Sequence, residues 1–359
     1  MLKVANINHK SIEMKNTAIC LLMLLIVITS CKTAYISIQV LKPAQITLPA
    51  DIKTIAFVNR SLPDKKDRVR NVIEGAITGE AIFADRLGSE ECIKGVLNGL
   101  NNSPRFGVVM PSGVDLRGTG TRQFPGPLDW SVVENICKTN GADALACLEV
   151  FDSDNRTGMS DRKVTKKEKD KEITYIEYTA TLNVNIESGW RVYFPAGHQI
   201  IDQNIYNDSK SWSNSSDAGK RAEQGLPSKD HAVSDAGFFA GNQYAKRISP
   251  LWIWVGREYY KKGNDDFDRA RRNVSLNDWK GAAEIWQKYV NNPDPKIAGY
   301  ACYNMALASE MDGSLETAIE WTKKAFIDFK NKNARYYMNT LQRRLDDQYR
   351  LDEQMKGIQ

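Results

Sequence analysis

The sequence predicts an α+β domain, a mixed sheet with packed helices, followed by an all-helical domain. Three observations carry that expectation. Short apolar runs alternate with helical stripes over the first part of the chain, as in a sheet covered by helices. Strand patterns cease after Trp254. Two segments near the end repeat at an offset of 36 residues. The chain has 359 residues, enough for two domains, and 42% hydrophobic residues can fill their cores. The formal charge is only +5, with basic and acidic residues interspersed. A nucleic-acid binder concentrates its basic charge in a patch, so no nucleic-acid partner is expected.

The mixed domain is expected over residues 51–255. Lys53 to Asn59 is an apolar run bounded by polar residues and reads as a buried strand. Ile93, Val96, Leu97 and Leu100 recur at helical spacing, and Asn101 to Pro104 stops that helix. Phe106 to Met110 is the next strand. Leu128 to Cys137 is a helix with Trp130, Val133, Ile136 and Cys137 on one face, and Gly141 to Phe151 returns as a strand. Tyr175–Glu187 and Trp190–Tyr206 read as an antiparallel pair, turning at Ser188-Gly189. Between the two groups, the alternating charges of residues 152–172 predict a solvated, mobile hairpin extension. A binding arm for an acidic partner is the functional alternative there. Residues 207–229 read as a surface loop. A helix over Asp230–Ile248 carries Ala232, Ala236, Phe239, Ala240 and Tyr244 as its stripe, and Pro250 breaks the chain before Trp252 and Trp254.

The helical domain is expected over residues 256–359. Trp279 to Ala283 and Leu315 to Ile319 are related by the offset of 36. Small residues, Ala270 and Ala282 in one unit and Ala306, Ala318 and Ala325 in the next, take positions where two helices cross closely. Trp279, Trp286, Met305 and Leu315 fill the space between. This pattern resembles the tetratricopeptide repeat, a helical hairpin of about 34 residues. Residues 335–354 would cap the stack with a polar outer face. Tyr300, Tyr303 and Trp321 are candidates for a partner surface, although aromatic residues at helical spacing usually pack inward.

Residues 1–30 read as a signal peptide. Ile19 to Ile28 is an apolar run too short to span a bilayer, which takes about 20 residues. Lys15 flanks it, and Met14 begins a more typical leader than Met1. The run ends in Ile28-Thr29-Ser30-Cys31, which resembles the bacterial lipobox: branched aliphatic, small, small, cysteine. The resemblance implies that Cys31 receives a diacylglyceryl group and becomes the new terminus, with residues 31–50 as a lipidated tether. Lys32 stands where some inner-membrane lipoproteins carry aspartate, and no acidic cluster follows. An outer-membrane anchor facing the periplasm is the implied address.

With these features in place, the layout resembles uncharacterised Bacteroidetes outer-membrane lipoproteins, a domain of unknown function followed by tetratricopeptide repeats. Residues 50–205, with the turn at Gly141-Ala142-Asp143, are also similar to the small mixed domains of curli-secretion and penicillin-binding-protein-activator lipoproteins, and to the amino-terminal domain of TolB. Neither resemblance implies a catalytic residue. It implies an architecture and an address.

Catalytic motifs are scarce. Beyond the leader, His198 and His231 are the only histidines, without metal spacing. Ser160 and Lys163 match the short Ser-x-x-Lys pattern, but in a charged stretch where the lysine would stay solvated. Asp152 and Asp154 open a calcium-like loop that fails because Lys163 stands where the closing glutamate belongs. Asp265 and Asp266 sit where helix capping explains them. Cys92, Cys137, Cys147 and Cys302 read as buried thiols, with Cys137 and Cys147 the pair that an oxidising compartment would permit to bridge. No enzyme activity, cofactor or metal is expected. The first expectation is a lipid-anchored adaptor that binds envelope proteins. The alternative is a ligand- or glycan-binding lipoprotein using Trp190, Trp252 or Trp254 as a platform; an unrecognised hydrolase ranks third.

Overall fold

Strand β2 (Thr54–Asn59) shows how the first domain is built. Its residues alternate between two cores: Ile55 and Phe57 enter one, Ala56 and Val58 the other. A strand buried on both faces is continuously apolar, which is what made it legible. The computed structural model describes residues 32–63, 79–101, 103–120, 122–168 and 171–358. The leader, Cys20 and the lipobox Ile28, Thr29, Ser30 and Cys31 lie outside the described residues.

Around β2 runs a five-stranded sheet in the order β3-β2-β4-β5-β6, with β3 (Gly107–Val109), β4 (Ala144–Glu168), β5 (Lys171–Phe194) and β6 (Gln199–Ser216). β2 is parallel to β3 and β4; β4, β5 and β6 are successively antiparallel. Helices α1 (Gly79–Leu100) and α4 (Lys229–Ile248) cover one face, and α2 (Trp130–Asn140) the other. The short helix α3 (Gly219–Gln224) follows β6. Between α1 and α4 the backbones touch. A Cβ on Gly241 would lie 1.9 Å from the Cys92 carbonyl oxygen, and one on Gly95 2.1 Å from that of Phe238. Only glycine permits that approach.

Three expectations for this domain are corrected. Ser188-Gly189 is not a turn: β5 runs straight through it, and the chain reverses at Pro195–Gly197, where His198 has a φ of 48°. Gly189 pairs with Val150, and a Cβ there would lie 2.7 Å from the Val150 Cβ. The register shifts between Leu148 and Val150, so Glu149 is the extra residue of a β-bulge. Glycine in the strand marks that close approach rather than a reversal. Residues 207–216 are not a loop but the second half of β6, with a regular alternation of exposed and half-buried residues. Their polar side chains hid the period. The charged stretch after residue 152 is indeed a hairpin, formed by paired strands: β4 and β5 remain in register as far as Glu168 and Lys171.

The helical unit contains α5 (Asp265–Ser275), α6 (Trp279–Gln287), α7 (Pro295–Met311), α8 (Leu315–Ile327) and α9 (Lys332–Gln354). Asn264 caps α5, its side chain accepting from the Phe267 N–H at 3.2 Å, while Asp265 and Asp266 occupy the first turn. Short connections join α5 to α6 and α7 to α8. Each contains one residue in the left-handed region, Asn277 (φ 60°) and Gly313 (φ 81°). Ala270, Ala282, Ala306, Ala318, Ala325 and Trp286 are fully buried at the crossings, and Leu315 nearly so. Trp279 and Met305 are partly buried against the same core.

Of the described residues, one compact unit takes those up to Gln39 with Trp254–Asp346; the other takes those from Val40 to Ile253 and from Asp347 onward. The stretch read as a tether contains β1 (Thr33–Lys42), which pairs with β7 (Leu251–Tyr260) in a two-stranded sheet. The last residues of α9 belong to the mixed unit. Gln354 accepts from the Ala44 N–H at 2.8 Å, and Arg105 donates to the Gln354 carbonyl at 2.9 Å. A capping helix confined to the repeats would leave those groups unpaired.

Candidate functional site

Two hollows lie on the helical unit among the described residues. The first, about 450 Å³, lies where the start of α6 and the end of α7 meet α8. Trp279, Ala283, Met305, Ala308 and Met311 give it an apolar floor, and Lys280 and Asp312 stand on its rim. Trp279 is fixed by its indole N–H, which donates to Asn277 at 2.7 Å. Flexible thioethers beside an anchored indole suit an apolar side chain from another molecule. The second hollow, about 520 Å³, lies at the starts of α7 and α9 and is lined by Tyr260, Tyr300, Lys296, Lys330 and Lys332.

Tyr260 organises the second hollow. Its backbone is gripped by the fully buried Asn304: the Tyr260 N–H donates to Asn304 at 2.8 Å and Asn304 donates back to the carbonyl at 2.7 Å. Tyr300 stacks on the ring of Tyr260 at 3.8 Å, and Tyr303 meets it edge-on at 5.2 Å. The Tyr260 hydroxyl reaches Asn331 and Asn333 at 3.1 and 3.2 Å. Of the three expected surface aromatics, Tyr300 therefore lines a hollow, whereas Tyr303 is buried against Tyr337 and is not available to a partner. Trp321 is half-buried on α8, apart from both, with Lys324 above its ring.

A bidentate pair stiffens the same unit. The Glu310 carboxylate accepts from Arg257 at 2.7 and 2.8 Å, from Arg344 at 2.6 Å and from the Tyr337 hydroxyl at 2.5 Å. Burial pushes Glu310 upward, but the Arg257, Tyr337 and Arg344 contacts outweigh it and hold the carboxyl below its ordinary value.

The mixed unit has its own buried carboxylate. Glu149, placed by the bulge, accepts from Arg60 at 3.0 Å and from the Tyr193 hydroxyl at 2.8 Å through one oxygen. Arg191 lies 2.5 Å from the other oxygen, which has no aligned hydrogen bond. Burial is the largest influence and leaves Glu149 above its ordinary value despite the two arginines. A polar hollow of about 320 Å³ on this unit is lined by Asp152, Asp154, Asn185, Glu187 and Asn207, with Arg122 paired to Asp152 at 2.8 Å. Among the described residues no group of histidine, cysteine or carboxylate side chains is placed to hold a metal ion.

The remaining candidates are dispersed. Trp190 is fully buried and stacked on Tyr244 at 4.1 Å, so it forms no platform. Trp252 and Trp254 are exposed on β7 but line none of the three hollows. Ser160 and Lys163 are exposed on the hairpin. His198 lies in the turn after β5, stacked on Trp130 at 5.1 Å with its Nε2 2.6 Å from Glu134. Cys92, Cys137, Cys147 and Cys302 are buried and free, and Cys137 and Cys147 are not bridged. Burial pushes the Cys137 and Cys302 thiols up to about 11.

The lysines of the second hollow escaped the sequence reading. Lys296 is far in the chain from Lys330 and Lys332, yet Lys296 and Lys332 are separated by the same 36-residue interval as the repeats. Carrying the offset one step further would have placed both at the start of equivalent helices.

A mixed sheet unit with a helical-hairpin unit defines the class of protein. The chain belongs to the family described as domain of unknown function DUF8603, whose model matches residues 52–260. Residues 268–343 match a second family, described as domain of unknown function DUF6340. No curated protein matches the chain. Among the described residues, no helix is long and apolar enough to cross a membrane.

Proposed function

We propose that this chain is a lipid-anchored, non-catalytic adaptor of the bacterial envelope, attached through Cys31 at the periplasmic face of the outer membrane. Its helical unit, two hairpins of tetratricopeptide type, recruits a protein partner. The observation that carries the reading is the apolar hollow floored by Trp279, Met305 and Met311, beside hairpins whose buried alanines repeat at one interval. Such a surface offers burial of a partner's apolar side chain without a convergent set of acids, bases or nucleophiles. The anchoring part rests on the lipobox-like Ile28-Thr29-Ser30-Cys31.

Two measurements test this. Crosslinked co-purification from intact cells should recover a partner with the native chain and lose it when Ala283→Arg and Ser309→Arg fill the hollow. The hairpin variant Lys163→Gln/Lys166→Gln should retain it. Equal recovery with the filled hollow would remove that surface from the reading. Separately, Cys31→Ala should release the protein from the membrane fraction; retention of that variant would overturn the anchor.

A further inference from the structure

We propose that the second hollow is a membrane-facing site for the phosphate headgroups of anionic lipids, holding the helical unit against the bilayer that carries its own anchor. This rests on the Cys31 reading above. The first described residue is Lys32, directly after Cys31, and β1 begins at Thr33. A single peptide step, about 3.8 Å, separates an acylated Cys31 from Lys32. No tether intervenes, because β1 is paired with β7.

Lys32 stands beside a concentration of like charge. Its carbonyl accepts the Lys261 N–H at 3.0 Å, which sets Lys32 next to Tyr260 of the hollow wall, and the nearness of Lys296 holds Lys32 below its ordinary value. Lys330 and Lys332 line the same hollow as Lys296. All four are exposed, and none has a carboxylate partner in an ion pair among the described residues. The acid on the wall, Asp294, accepts the Lys296 backbone N–H at 2.8 Å as the cap of α7. Ammonium groups gathered around one hollow repel unless an anion comes between them. Lys330 is also held at a φ of 55°, a left-handed conformation that lysine rarely adopts. That turn ends α8 and brings Lys330 to the hollow with Lys332.

The charge suits a phosphate, and the position selects its source. Lys32 is the residue after the cysteine that the anchor reading acylates, so on that reading lipid headgroups are the anions presented to this end of the unit. A basic patch beside an acylated residue adds an electrostatic attraction to anionic lipid to the anchoring by the acyl chains. Exposed Tyr35, on β1, supplies an amphipathic ring suited to the same interface.

The test separates this site from the anchor. All three cores lie within residues 32–358, so the chain beginning at Lys32 retains the described fold and lacks both leader and acylation site. It should float with phosphatidylcholine vesicles containing phosphatidylglycerol, and not with phosphatidylcholine alone. Lys296→Gln/Lys330→Gln/Lys332→Gln should weaken that binding about 100-fold, from roughly fivefold per lysine near an anionic surface. Lys163→Gln/Lys166→Gln/Lys167→Gln, on the hairpin, should bind as the parent does. The proposal is overturned if the parent ignores the anionic vesicles, or if the two triple variants bind alike. Displacement by millimolar inorganic phosphate, against chloride of equal ionic strength, would overturn the lipid assignment in favour of a soluble phosphate. Each result stands whether or not Cys31 is acylated in cells.

Discussion

The mixed and helical units contain the same buried device and use it in opposite senses. Each holds a glutamate with two arginines and a tyrosine: Glu149 with Arg60, Arg191 and Tyr193, and Glu310 with Arg257, Arg344 and Tyr337. Glu310 receives Arg257 as a bidentate fork, and every contact is aligned. Glu149 is delivered by a strand irregularity, and one of its oxygens has charge beside it without an aligned donor. The same four side chains therefore hold one carboxyl below its ordinary value and leave the other above it. Geometry, not composition, decides whether ion pairing outweighs desolvation.

The comparison can be broken by removing each glutamate. Glu310→Ala strands two largely buried arginines and should cost the helical unit about 3 to 5 kcal/mol in urea unfolding. Glu149→Ala should cost less, about 1 to 3 kcal/mol. Arg191 would keep the Pro125 carbonyl and Gln203, and Arg60 the Gly126 carbonyl. Equal losses would show that alignment is not the distinguishing variable.

Packing sharpens the contrast. Helices of the mixed unit cross on glycines, whereas those of the helical unit cross on alanines. Gly241→Ala drives a methyl into the Cys92 carbonyl and should cost about 1 to 3 kcal/mol, unless α1 and α4 separate. Hydrogen exchange should place the loss in the mixed unit.

The smallest effect is pH dependence of opposite sign. Glu310 ionises more readily folded than unfolded, so its contribution is present above 4.5, the ordinary glutamate value, and is lost as pH falls below it. Glu149 and Asp85 hold protons more tightly in the folded chain. Asp85, raised to about 6 chiefly by burial, accepts from Ser153 at 2.6 and 3.0 Å. Its contribution is complete below the ordinary 3.8 and is lost as pH rises through about 6. Acidification from about pH 7 to 5 should raise protection in the mixed unit by on the order of 1 kcal/mol and leave the helical unit unchanged. Further acidification should weaken the helical unit.

Legibility followed the same divide. β2 announces itself because both faces are apolar, and the repeat because Ala270, Ala282, Ala306 and Ala318 return at a fixed interval. Gly189 misleads because a strand glycine and a turn glycine look alike in sequence; the Val150 side chain beside it is what differs. Asn207 to Ser216 is a strand held by its backbone ladder, so its side chains carry little apolar period. Glycines on α1 and α4 read as weak helix formers, although their purpose is contact with a distant carbonyl. The basic hollow is assembled from the start of α7 and the turn that leads into α9, and none of its lysines is unusual in the sequence itself.

The pairing of β1 with β7 also sets a timetable. Roughly 200 residues of chain separate the two strands. At about 5 to 20 residues per second, β1 is made some 10 to 40 seconds before its partner exists. Through that interval the first strand has a backbone edge open to any passing chain, and only the late arrival of Trp252 to Tyr260 closes it.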